Sequence, residues 1–247
     1  MKESAAPWWE RRWTLAALIV LSAVPLLWPD VPPLTDLPGH LGRYKIALDL
    51  HRSPALQQFY DFHWSLIPNL GVDLLMVPLG RLFGIEAGAR IVVILIPPLT
   101  FAGFLWAMKE AHRRLTPAYL FAAPLIYSYT FLYGFLNFSL AVAFAFLAFA
   151  LWLRLGRLER FRLRALLFVP ISLLLWVTHV FGWGMLGLMA FAAEAVREYG
   201  RRGSVWRAGA AAAWHCLPLA APLPLMIGGR APASAGDWFN VKWKVAA

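Results

Sequence analysis

Seven apolar runs of about 15–20 residues constrain this chain more than any other feature, because each as a helix approaches the ~30 Å thickness of a bilayer's hydrocarbon core. They occupy 13–28, 89–108, 117–131, 134–153, 165–178, 181–195 and 208–227. Backbone polar groups inside hydrocarbon must bond to each other, which leaves helices as the natural state of such runs. The pattern predicts an all-α polytopic membrane protein with about seven transmembrane helices. Composition agrees: 60% of residues are hydrophobic and only 15% charged. Trp8, Trp9, Trp13, Trp28, Trp106 and Trp206 stand at run edges, where indole favours the headgroup layer.

The net charge of +10 raises the question of nucleic acid. No nucleic-acid-binding signature accompanies it, so the chain is not expected to bind nucleic acid. The charge instead follows topology. With a cytoplasmic N-terminus and seven crossings, the segments around Arg11–Arg12, 109–114, 154–164 and 197–207 fall inside, where Lys and Arg collect. The interval 29–88 then lies outside, as a long first extracytoplasmic loop. It holds four bases (Arg43, Lys45, Arg52, Arg81) against six acids (Asp30, Asp36, Asp49, Asp61, Asp73, Glu86). Within it, 72–83 is apolar but only ~18 Å long as a helix, which suits an interfacial or re-entrant helix better than a span. The single cysteine, Cys216, excludes an intrachain disulfide and a cysteine-based zinc site. The first run lacks a small-residue cleavage site and reads as an uncleaved anchor. Residues 1–227 thus form one transmembrane module. Residues 228–247 read as the start of a further extracytoplasmic segment, cut short.

The polar stretch 35–45, just past the first run, gathers a carboxylate, an imidazole and two cations. Asp36 would lie near the outer headgroup layer, placed to act as a general base on an acceptor hydroxyl; a helix N-cap is its plainer role. His40 and Arg43 follow at four and seven residues and share a helix face with Tyr44 and Ala47, a face suited to phosphate through the guanidinium fork. Lipid-surface snorkelling is the alternative. Asn69 and Asp73 stand four apart after Pro68, lining a site or serving as a cap and a first-turn acid. Asn137 and His179 are polar residues at outer helix ends, either substrate-binding or interhelical hydrogen-bonding groups. His51 and His63 lack metal-ligand spacing. No cofactor is therefore assigned, and a divalent metal stays open.

Three strings carry a family resemblance: Asp36-Leu37-Pro38-Gly39-His40-Leu41-Gly42-Arg43, Pro68-Asn69-Leu70-Gly71-Val72-Asp73-Leu74-Leu75 and Gly134-Phe135-Leu136-Asn137-Phe138. Together with one span, a long outside loop bearing an early aspartate and an interfacial helix, then six spans, they resemble uncharacterised bacterial members of the GT-C class of membrane glycosyltransferases. The resemblance implies an inner-membrane enzyme of the cell envelope. It would move a sugar from a polyprenyl-phosphate carrier to a glycan, lipid or protein acceptor outside the membrane. It puts Asp36 in the place of the family's first-loop catalytic acid. His40, Arg43, Asn69, Asp73, Asn137 and His179 are the candidate substrate-binding groups, with Arg230, Lys242 and Lys244 further phosphate candidates. Two features depart from the family: Leu37 stands where many members carry a second acid, and the C-terminal region that often completes acceptor recognition reads as absent or barely begun. A transporter or flippase of a lipid-linked or anionic solute is the main alternative, since prolines interrupt several runs. A non-catalytic membrane scaffold is the third.

Overall fold

A computed structural model describes residues 7–228. Among these residues the chain forms helices and turns and no strand. Eleven α-helices follow one another: α1 (Arg12–Leu21), α2 (Leu37–Asp49), α3 (Pro54–Phe59), α4 (Gly71–Phe83), α5 (Ile85–His112), α6 (Tyr129–Tyr133), α7 (Leu136–Arg157), α8 (Phe161–Thr178), α9 (Val180–Arg202), α10 (Val205–Cys216) and α11 (Leu223–Gly228). Four of them, α5, α7, α8 and α9, are long and apolar enough to cross a membrane. They argue for a membrane protein.

The other three apolar runs are built from shorter pieces, and the reason lies in proline. The first run gives α1 and then a 3-10 turn at Val24–Leu26, with Pro25 inside the turn. Over 117–131 the chain forms 3-10 turns at Pro117–Ala122 and Pro124–Ile126, followed by the one-turn α6. Each 3-10 turn opens on a proline, which has no N–H to extend a preceding helix. The last run breaks into α10, a 3-10 turn at Leu217–Ala220 and α11, around Pro218, Pro222 and Pro224. By contrast, α5 runs on through Pro97 and Pro98.

Small residues let the long helices approach closely, as expected where lipid offers side chains no hydrophobic contrast. A Cβ on Gly103 of α5 would lie 2.9 Å from the backbone N of Leu147 in α7. One on Gly182 of α9 would lie 2.5 Å from the Ala141 side chain of α7. Ala141, Ala143, Ala145 and Ala150 are fully buried along α7, which is the central helix of the bundle. Trp152 and Phe168 meet edge to face between α7 and α8, with centroids 4.8 Å apart.

Cross-contacts fix the chain's direction. Gly103 lies against Phe146 and Leu147, and Glu110 pairs with Arg157 at 3.0 Å, so α5 and α7 run parallel. The chain between them must return the length of the bundle. It does so beside α1: Trp9 Nε1 donates to the Leu115 carbonyl, Tyr119 donates to the Trp9 carbonyl, and Tyr127 donates to the Ser22 carbonyl. The start of α7, the end of α8 and the start of α9 therefore share one end of the bundle. The Arg-rich ends of α5, α7 and α9 share the other.

At the Arg-rich end, two carboxylates are almost fully buried. Glu194 accepts from Arg164 at 2.7 Å and from Trp152 Nε1 at 3.1 Å, and also pairs with Arg197. The Arg164 guanidinium lies 3.9 Å above the Trp152 ring. Glu198 accepts from Arg202 at 2.7 Å, with Arg201 at 3.5 Å and His215 at 3.8 Å. These pairs carry α9 past 195, where the apolar run stops, to Gly203, whose φ of +65° ends the helix in the left-handed region.

Candidate functional site

The three strings singled out in the sequence meet at the opposite end of the bundle. Asp36 is tied down first. Its N–H donates to the Tyr133 carbonyl at 2.8 Å, and the Thr35 N–H donates to the Leu132 carbonyl at 3.3 Å. Gly134 makes that approach feasible. Its φ is +101°, and a Cβ there would sit 2.9 Å from the Asp36 backbone N. Only glycine offers both the positive φ and the room. Gly39 does the same from the other side, since a Cβ there would lie 3.2 Å from Asp36 Oδ1.

Asp36 occupies the N-cap position of α2, yet its side chain makes no capping hydrogen bond. The carboxylate instead faces His40, with Oδ2 3.5 Å from Nε2, and is 50% exposed. Half-exposure leaves the carboxylate open to a ligand. Burial lowers the pKa of His40, against the opposing pull of Asp36 and then Asp73. The imidazole stacks on Tyr44, with centroids 5.9 Å apart.

About two turns along α2 from Asp36, Arg43 reaches α4. Its Nε donates to Asp73 Oδ1 at 2.5 Å, and the Asp73 side chain is only 3% exposed. Asp73 is thus a buried counter-ion rather than a solvated first-turn acid. Its other oxygen accepts from Asn137 Nδ2 at 3.0 Å. The same amide donates to the Asn69 carbonyl at 3.0 Å, and Asn137 Oδ1 accepts from the Val72 N–H at 2.6 Å. Asn137 thereby spends its amide on holding the start of α4 against the start of α7. Asn69 contributes its backbone to this network. Among the described residues, Arg43 donates to no group other than Asp73, so its terminal nitrogens remain available.

His179 stands at the turn between α8 and α9. Its Nδ1 accepts from the Phe181 N–H at 3.2 Å and caps α9, which assigns the remaining proton to Nε2. Burial lowers its pKa. The ring lies edge to face with Phe138, at 5.5 Å, next to Asn137. The same turn grips the second string: Leu70 donates to the Val177 carbonyl at 2.8 Å, and Val180 donates to the Pro68 carbonyl at 3.2 Å. A Cβ on Gly71 would strike Thr178 at 2.4 Å.

Asp36 with His40, and Arg43 with Asp73 and Asn137, are thus two polar groups on neighbouring turns of α2, with Asn69 joined to the second through its carbonyl and His179 at its flank. Sequence reasoning underrated Tyr44. It is 1% exposed, and its hydroxyl has no hydrogen-bond partner among the described residues. Burial, and after it the Asp73 carboxylate, raises its pKa, so the phenol keeps its proton as a donor. The signal was its place on the His40–Arg43 face. Arg230, Lys242 and Lys244 lie outside the described residues. Among the described residues, no three His, Cys, Asp or Glu side chains group as metal ligands.

Comparison with known proteins returns no family model, no curated relative and no solved structure that matches this chain.

Proposed function

We propose that the chain is a glycosyltransferase of the membrane, taking a sugar from a polyprenyl-phosphate carrier. In this reading α1, the 117–131 return and the α10–α11 segment complete seven crossings. The Arg-rich end faces the cytoplasm, and the Asp36 end faces the outside of a bacterial inner membrane.

The carrying observation is the contrast between the two groups. Asp73 is buried and saturated, whereas Asp36 is half-exposed, with its backbone tied to the Tyr133 carbonyl beside Gly134. A tied backbone under an open carboxylate suits a general base. Asp36 accepts the proton of the acceptor hydroxyl. The acceptor oxygen forms a bond to the sugar C1 as the bond from C1 to the phosphate oxygen breaks. The electron pair leaves on the polyprenyl phosphate. Arg43, aimed by Asp73, offers its terminal N–H groups to that charge.

The test is sugar transfer by purified protein supplied with polyprenyl-phosphate sugars and a membrane-extract acceptor. Asp36→Asn is expected to lower the rate by about 10²- to 10⁴-fold. Its unfolding free energy should move by no more than about 0.5 kcal/mol, as for a partly exposed position. Equal transfer by Asp36→Asn and wild type removes the base.

A further inference from the structure

A second cluster of cations lies further out along α2. Lys45, Arg52 and Arg81 line a cavity of about 520 Å³, with Asp49, Gly80 and Gly84. It forms because α2 and α4 run side by side. Arg43 meets Asp73 near the start of α4, and Leu48 packs on Gly80 near its end, where a Cβ would come within 2.6 Å of the Leu48 side chain. Gly84, at φ +87°, then turns the chain sharply into α5.

The cavity borders Ile85, at the end of α5 opposite the Arg-rich one. As a 28-residue helix, α5 is about 42 Å long, roughly 12 Å more than a bilayer core. Its first turns, which border the cavity, project beyond the level at which α7 begins. The cavity is also remote from the reacting centre. Nine residues of helix separate Asp36 from Lys45, about 13 Å of axial rise. A phosphate bonded to the reacting sugar carbon cannot lie that far from the base.

Three cations face one carboxylate here, and Asp49 pairs with Lys45 alone. Among the described residues, Arg52 and Arg81 have no hydrogen-bond or ion-pair partner, which leaves two positive charges uncompensated. Arg81 in the last turn of α4 does complement the helix dipole, but that role needs neither Arg52 nor a cavity. A phosphomonoester carries about −1.5 to −2 charges at neutral pH, which matches the excess. The volume falls within the range of about 300–1,000 Å³ typical of small-molecule sites, enough room for a phosphorylated sugar.

We infer that the Lys45–Arg52–Arg81 cavity is a second binding site, for a phosphomonoester group. Its further role, holding a phosphorylated acceptor some distance from the bond being made, rests on the glycosyl-transfer reading. Binding itself does not.

The test uses the whole protein. Glucose 1-phosphate is titrated against it in detergent, with glucose as the control. Nanodiscs containing phosphatidic acid are compared with phosphatidylcholine nanodiscs. Arg52→Gln with Arg81→Gln should weaken phosphomonoester binding by at least about tenfold. Asp49→Asn, which removes the opposing charge, should tighten it about two- to fivefold. Asp36→Asn should bind as wild type does. Binding of glucose 1-phosphate supports a water-soluble ligand, and binding of phosphatidic acid alone supports a lipid headgroup. Failure of both probes to bind, or binding that neither charge change moves, overturns the site. Transfer that depends on Asp36 without any phosphomonoester binding would retain the reaction and discard this cavity.

Discussion

The two ends of the helix bundle treat carboxylates in opposite ways. At the Arg-rich end, Glu194 and Glu198 are almost wholly enclosed and face more cations than they have charges to offer. Both oxygens of each of these two carboxylates are committed. At the other end the commitment is divided. Asp73 is committed in the same way, to Arg43 and Asn137, while Asp36, about two turns away across α2, has only a neighbouring imidazole. Saturated carboxylates clamp helices together. An unsaturated one on a pinned backbone is available for chemistry. Charge content alone does not distinguish the two.

The comparison breaks most readily at the clamp. Glu194→Ala strands Arg164, whose side chain is 3% exposed, without its counter-ion. The expected cost is about 3–5 kcal/mol, read as a fall in unfolding midpoint in detergent. A change near zero would place Glu194 among the dispensable surface charges. Asp36→Asn, already expected to leave stability almost untouched, is the control at the opposite end.

Gly134→Ala sharpens the contrast from within the site. The substitution forces a side chain into the left-handed region and against the Asp36 backbone. A cost of about 1–3 kcal/mol is expected. Transfer should fall by up to about 100-fold because the base is displaced. Gly209→Ala, where a Cβ meets nothing within 4 Å, should do neither.

The smallest effect is on pH dependence. Burial lowers the folded-state pKa of His40, so the folded protein holds this proton less tightly than the unfolded chain does. Stability from this group is therefore complete above the unfolded value of about 6.5 and declines as pH falls through that value toward the folded one. His179 is shifted in the same direction. His40→Gln should flatten part of the acid-side slope in a stability-against-pH series. An unchanged slope would mean that His40 is not buried as described.

Much of this was legible in the sequence. The runs that became α5, α7, α8 and α9 were plain from their length and hydropathy, although the continuity of α5 through Pro97 and Pro98 and of α8 through Pro170 was not. The three strings were legible as strings, and each brought a glycine and a polar group to the site. Their meeting was not legible, since contacts such as Val72 to Asn137 span 65 residues. The proline-broken runs kept the hydropathy of helices but lost the geometry, as 117–131 shows. The role of Asp73 was also hidden: a first-turn acid suggests a helix dipole, and only packing revealed Arg43. Past 195, Glu198 is met mainly by Arg201 and Arg202 of α9 itself, whereas Glu194 meets Arg164 of α8 and Trp152 of α7, which hydropathy does not encode.

A structure of the protein with polyprenyl phosphate bound measures the central claim directly. The account predicts the phosphate against the terminal nitrogens of Arg43, with the Asp36 carboxylate within reach of the space beside it. A phosphate seated elsewhere, with Asp36 facing bulk water and Arg43 contacting only Asp73, would contradict it.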